Sequence, residues 1–195
     1  MSLKIAVIVG TVREGRVTPK QAKWVANALQ EREGVEVNIL DLAEYDLPFF
    51  AEPVSPRYNP NRVVEGDVKR WLDDLASADG YVVVTPEYNH SIPGVLKNAF
   101  DYVDFQLNRK PSAIVSHGTV GGARAAMHLK EILSEGKTVP IPEFVAFDGI
   151  SEVIDDEGNT TEEVKANPYG SDYALNGLVD SLLWYADALK TAREA

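Results

Sequence analysis

The chain of 195 residues contains no cysteine. Disulfides, thiolate nucleophiles and thiolate metal sites are thereby excluded, and a reducing cytoplasm is the expected compartment. The small tyrosine phosphatases, whose nucleophile is a cysteine, drop out for the same reason. Histidine is scarce too. His90, His117 and His128 show no close metal-ligand spacing, which argues against a metal site. Positive charge is in short supply, with 19 Lys and Arg against 30 Asp and Glu for a net −11. Nucleic acid, which needs a basic footprint, is therefore not an expected partner. No apolar run approaches the roughly 20 residues that span a bilayer, so no membrane partner is expected. Met1-Ser2-Leu3-Lys4 leads directly into a strand pattern without a secretory signature. Repeats, low-complexity tracts and linkers are absent, and residues 1–195 are expected to form a single domain with a substantial core.

What the chain does have is regular alternation. Residues 4–9, 80–84 and 112–116 are short apolar runs rich in β-branched side chains, the pattern of strands buried on both faces. Residues 35–40 alternate as a further strand. Residues 139–147 form a last one, whose Pro140 and Pro142 place it at a sheet edge. Helical patterns follow in turn. Thr18 reads as an N-cap and Pro19 as the first helical residue, with Ala22, Val25, Ala26 and Leu29 as the buried stripe to about Arg32. Further helices are expected near 63–78, from Pro93 with Ser91 as cap, over 123–134, and over 171–193. The last should bury Leu175, Leu178, Leu182, Trp184 or Tyr185, and Leu189. Five strands alternating with helices imply a parallel sheet covered on both faces. Right-handed crossovers then favour an α/β, flavodoxin-like doubly wound fold with strand order 2-1-3-4-5.

In such sheets ligands bind at the carboxyl ends of the strands, and three of these ends carry unusual loops. The first, residues 10–18, sets Thr11, Arg13 and Thr18 around the start of a helix, where free N–H groups and hydroxyls suit a phosphate. It is neither G-x-G-x-x-G nor an ATP-binding P-loop, which disfavours a dinucleotide. The second, Thr85-Pro86-Glu87-Tyr88-Asn89-His90-Ser91-Ile92-Pro93-Gly94, is polar and aromatic. The third, Ser116-His117-Gly118-Thr119-Val120-Gly121-Gly122, has the small residues that let backbone approach a flat ligand. Each loop by itself is equally compatible with an ordinary capped turn. Together they point to one nucleotide. A receiver domain is disfavoured, since no phosphoacceptor aspartate ends the third strand.

These residues carry a resemblance. The segment T-P-E-Y-N-x-S-I-P-G-x-L-K-N, with residues 10–18 and 116–133, resembles the NAD(P)H-dependent FMN reductase family of flavodoxin-like proteins. The resemblance implies FMN as cofactor and NADPH or NADH as co-substrate. Thr11, Arg13 and Thr18 would hold the phosphate; Pro86, Glu87, Tyr88 and Asn89 would line the flavin; Ser116, Gly118, Gly121 and Gly122 would form the other edge. Many relatives carry a serine where this chain has Arg16. The implied activity is ping-pong reduction of a small-molecule electron acceptor, such as a quinone, free flavin, azo compound or chromate. The flavin carries the chemistry, with His117, Tyr88 and His90 as candidate proton donors. Homodimers or homotetramers are implied, with Phe49, Phe50 and Tyr58 of the long 42–60 loop as contacts or as core. A flavodoxin-like electron carrier and a redox-sensing binding protein remain alternatives at this stage.

Overall fold

The computed structural model describes residues 2–59, 61–149 and 153–195. β1 (Leu3–Val9), β2 (Val35–Asp41), β3 (Gly80–Pro86), β4 (Pro111–His117) and β5 (Val139–Phe147) form one parallel sheet in the order 2-1-3-4-5. The doubly wound topology expected from the alternation is the one observed. β3 and β4 are buried along their whole length, which is why they read as unbroken apolar runs. β5 lies at the edge, and its two prolines coincide with a slip in register between Ser112 and Ile114 of β4.

Successive side chains along each strand point to opposite faces, so the sheet divides its apolar residues between two cores. Val7, Val82 and Val115 pack with Val25 and Leu29 of α1 (Thr18–Gln30) on one face. Ile8, Val83 and Ile114 pack on the other with Trp71 of α2 (Gly66–Ser77), Leu96 of α3 (Gly94–Asp101) and Leu129 of α4 (Ala123–Glu135). A short α5 (Glu162–Ala166) precedes α6 (Ser171–Glu194), which joins α1.

Several local expectations are corrected. Thr18 is the first residue of α1 and not its cap; Val17 occupies the N-cap and offers no side-chain hydrogen bond. Ser91 does not cap α3 either, because Pro93 does so without a side-chain bond. α2 starts at Gly66, leaving Val63 exposed. On α6 the buried stripe is Leu175, Leu178, Val179, Leu182 and Ala186, while Trp184 is 67% exposed. The stretch after β5 returns to α1, where Lys23 Nζ donates to the Asp156 carbonyl at 2.6 Å. Its Gly158, at φ +84°, sits against α1 so closely that a Cβ would lie 2.5 Å from the Trp24 nitrogen.

The 42–60 loop, whose Pro60 lies outside the described residues, contains two single 3₁₀ turns, Leu42–Glu44 and Pro56–Tyr58. Asn98 and Tyr102 of the α3 region fasten it. Asn98 Oδ1 accepts from Phe50 N at 2.8 Å, and Tyr102 Oη donates to the Pro48 carbonyl at 2.9 Å. Phe50 packs edge-on against Tyr102, 5.3 Å between ring centres, whereas Phe49 and Tyr58 are 88% and 82% exposed.

Trp71 anchors the α2 face. It is fully buried, its indole N–H donates to the Ala99 carbonyl at 2.9 Å, and its ring meets Tyr45 edge-on at 5.4 Å. Trp71→Ala is expected to cost about 3–5 kcal/mol through the cavity it leaves. The readout is the urea midpoint of unfolding, and an unchanged midpoint would contradict this account of the core.

Candidate active site

The sheet's register places the site. Val9 is level with Asp41 of β2 and with Val84 of β3, and Pro86 of β3 is level with His117 of β4. The loops leaving β1, β3 and β4 therefore emerge side by side. They enclose a cleft of about 310 Å³, lined by Arg13, Gly15, Arg16, Val17 and Thr18 from the first loop. Pro86, Glu87 and Tyr88 come from the second, and His117, Gly118 and Thr119 from the third.

Hydrogen bonds knit the three loops into one body. The Thr11 and Tyr88 hydroxyls share a bond at 3.0 Å, joining the first loop to the second. Buried Thr18 Oγ1 and His117 Nε2 share one at 2.9 Å, joining the first to the third. Glu87 joins the second to the third. Its Oε1 accepts from Arg124 Nε at 2.7 Å, and its Oε2 accepts from the Arg124 backbone N–H at 3.1 Å. The Arg124 side chain, with the N–H groups at the start of α4, holds the Glu87 carboxyl below the usual carboxylate range.

The first loop leaves donors free. The α1 N-terminus has no side-chain cap, and Pro19 sits in its first turn. Among the described residues, the backbone N–H groups of Glu14, Gly15, Val17 and Thr18 have no protein acceptor. Arg13 is exposed and, among the described residues, has no ion-pair partner; its guanidinium lies 5.8 Å from the centre of the Tyr88 ring. Uncapped N–H groups and a free guanidinium at a helix start suit a phosphate monoester. The residues present therefore fit the phosphate end of FMN. Arg16, although it also lines the cleft, is already taken: its guanidinium pairs with both carboxylate oxygens of Asp41, at 2.6 and 2.8 Å.

The second loop turns back on itself through Asn89 and His90, both at positive φ (49° and 67°), with Tyr88 and Ser91 exchanging backbone hydrogen bonds. Asn89 and His90 are exposed at this tip and do not line the cleft. Ser91 instead bonds His128 Nδ1 on α4 at 2.6 Å.

In the third loop Ser116 Oγ donates to the Gly121 carbonyl at 2.8 Å, and neither residue lines the cleft. Gly121 and Gly122 adopt φ of +71° and +74°. A Cβ on Gly121 would lie 2.8 Å from the Ala146 Cβ of β5, and one on Gly122 would lie 2.8 Å from the His117 backbone. Their missing side chains thus make room for strands, not for a ligand. Thr11, Asn89, Ser116, Gly121 and Gly122 shape the loops, while Arg13, Thr18, Pro86, Glu87, Tyr88, His117 and Gly118 face the cleft. Sequence reasoning missed Asp41, Val17 and Thr119. Asp41 had a signal, since β2 neighbours β1 in the expected strand order and ends beside the first loop.

A model of the NADPH-dependent FMN reductase family matches residues 3–152. The chain belongs to this family. An NAD(P)H-dependent FMN reductase of Nectria sp is 41% identical over 134 residues, 67% of each chain. A quinone reductase of Escherichia coli is 34% identical over 137 residues, 67% of this chain and 69% of that one. Each match thus spans about two thirds of the relative's length. Among solved structures, the NAD(P)H:(acceptor) oxidoreductase FerB of Paracoccus denitrificans aligns with a TM-score of 0.75. Its identity is 28%, over 95% of this chain and 98% of that one. The protein is accordingly an oxidoreductase, with FMN as its cofactor and a reduced nicotinamide nucleotide as co-substrate.

Burial pushes the His117 imidazole down to about 4, so at neutral pH it is uncharged. Its folded-state value lies below the ordinary 6.5. The unfolded chain therefore binds the extra proton between about pH 6.5 and 4, and stability falls as pH drops through that window. His117→Gln keeps a polar partner for Thr18 and cannot titrate. It is expected to flatten this acid limb by about 3 kcal/mol at pH 4 relative to pH 7. Urea unfolding at pH 7, 5.5 and 4 checks it, and parallel pH profiles for variant and parent would refute it.

Proposed function

We propose that the protein takes hydride from NADPH or NADH and passes it through FMN to a small acceptor by ping-pong exchange in one cleft. The acceptor belongs to the class of quinones, free flavins, azo compounds or chromate. The observation that carries this reading is the uncapped start of α1 beside free Arg13, opening into a cleft walled by Tyr88 and His117. Bound FMN supplies the ring that accepts and donates hydride.

The chain's own residues hold and orient it. Arg13 and the free N–H groups at 14, 15, 17 and 18 hold the phosphate. Pro86, Glu87 and Tyr88 form one wall and Gly118 and Thr119 the other. Thr11, Thr18, Asn89, Ser116, Gly121 and Gly122 fix the loops through the bonds and backbone angles described above. Hydride transfer depends on placement, so rigid walls contribute more than an ionised acid or base. Tyr88 and His117 are positioned by their threonine partners, and their role is to set the walls.

Residues 1–195 act as one FMN-binding domain in the cytoplasm, and the assembly is a homodimer or homotetramer. Exposed Phe49 and Tyr58 support an interface on the 42–60 loop. No helix among the described residues is long and apolar enough to cross a membrane.

Two measurements test the reading. Acid extraction of the purified protein should release FMN, and mainly FAD would overturn it. Arg13→Ala should weaken FMN binding by roughly 10- to 100-fold, the scale of a lost charge-assisted hydrogen bond, and riboflavin binding much less. Equal losses for both flavins would remove Arg13 from the phosphate site. NAD(P)H oxidation by the purified protein with a quinone, giving parallel double-reciprocal lines, distinguishes this enzyme from an electron carrier.

A further inference from the structure

Two arginines line the same wall of the cleft and are used differently. Arg13 is free. Arg16 grips Asp41 with two nitrogens, at 2.6 and 2.8 Å, and also donates to the Thr11 carbonyl. Both partners of this pair are largely shielded, with side chains 18% and 17% exposed. Asp41 is held from its other side as well, its Oδ1 accepting from Ala43 N at 3.0 Å. The register of β1 with β2 sets Asp41 level with Val9, so this carboxylate stands where the first loop begins.

A carboxylate at that place is a liability for a phosphate site. The chain as a whole is strongly acidic, at net −11. An unpaired, partly buried aspartate beside the loop would repel a phosphate dianion at close range, with little screening by solvent. We infer that Arg16 is a positioning residue that neutralises Asp41 and ties it to the Thr11 backbone, so that the first loop accepts the phosphate of FMN through Arg13 and its N–H groups. Arg16 does not itself ligate the phosphate. Its geometry favours this division, because both terminal nitrogens are committed to protein, Nη1 to Asp41 and the Thr11 carbonyl and Nη2 to Asp41.

The inference rests on FMN being the cofactor, and its test separates the two ideas. Purified holoprotein is equilibrated with an excess of FMN and riboflavin together, and the ratio of the two flavins retained is measured by chromatography. The wild type should prefer FMN strongly; a wild type without that preference would overturn the functional reading and this inference with it. With the wild-type preference in place, Arg16→Ser exposes the Asp41 charge and should lower the FMN-to-riboflavin ratio about tenfold, with less effect at high salt. The double variant Arg16→Ser with Asp41→Asn removes both charges and should restore the ratio to within about twofold of the wild type. Asp41→Asn alone should keep or raise it. If the double variant stays as low as Arg16→Ser, Arg16 is a phosphate ligand and the inference fails. It fails equally if Arg16→Ser weakens both flavins alike, which would make the pair mere scaffolding, or if the ratio does not move.

Discussion

The cleft depends on the position of β1 between β2 and β3. Parallel pairing makes every strand finish at the same edge, and the register sets Val9 level with Asp41 on one side and Val84 on the other. Gly10 continues the ladder by donating to the Val84 carbonyl at 2.8 Å, and only then does the chain leave the sheet. A Cβ at Gly10 would lie 2.9 Å from that carbonyl oxygen and from Leu96, so glycine at this point lets the first loop start directly against β3. Everything above follows from that start. Thr11 is brought to Tyr88 in the loop after β3, Arg16 to Asp41 at the end of β2, and Thr18 to His117 at the end of β4, one strand further on.

Charge is handled locally and not by the overall balance. A strongly acidic chain is a poor general attractor for an anionic cofactor, yet fields from exposed groups fade within about 8 Å at physiological salt. What counts is the nearest shell, and there the two acids that face or flank the cleft wall, Glu87 and Asp41, are matched. Glu87 is held by Arg124 and by the start of α4, Asp41 by Arg16. His117 is kept neutral by burial and adds no charge of its own. The only guanidinium left unpaired on the cleft wall, among the described residues, is that of Arg13.

The sheet was legible because β1, β3 and β4 are buried on both faces, and burial of that kind leaves a long β-branched run that few other structures require. The position of the site was legible as well, since strand ends in such folds are few and three carried glycine, proline and hydroxyl residues together. What the hydroxyls do was not. Thr18 and Ser91 each precede a proline-led helix and match a cap pattern, yet Thr18 bonds His117 and Ser91 bonds His128. Local sequence cannot separate a capping hydroxyl from one recruited by a residue 99 or 37 positions away, because both look the same within a helical turn. Gly121 and Gly122 show a related limit. Their positive φ was foreseeable, but the direction of the absent side chains, toward β5 and the His117 backbone, is set by tertiary packing. Trp184 shows the same limit on a helix: its spacing fits the buried stripe loosely, and the tighter fit of Val179 and Ala186 turns it outward.

Two cleft-lining candidates for proton donation, Tyr88 and His117, are each engaged by a threonine of the first loop. A general acid works best when its proton is free to move toward the substrate and its pKa lies near the working pH. His117 meets neither condition, being buried, uncharged at neutral pH and bonded through Nε2. The same bonds are well suited to a different task. They tie the second and third loops to the first. A hydride passes between two flat rings only when donor carbon and acceptor nitrogen are held close and aligned, and misplacement of about 1 Å carries a heavy rate cost. On the proposed reading, tying both walls to the first loop would convert the binding of a remote phosphate into placement of the reacting ring.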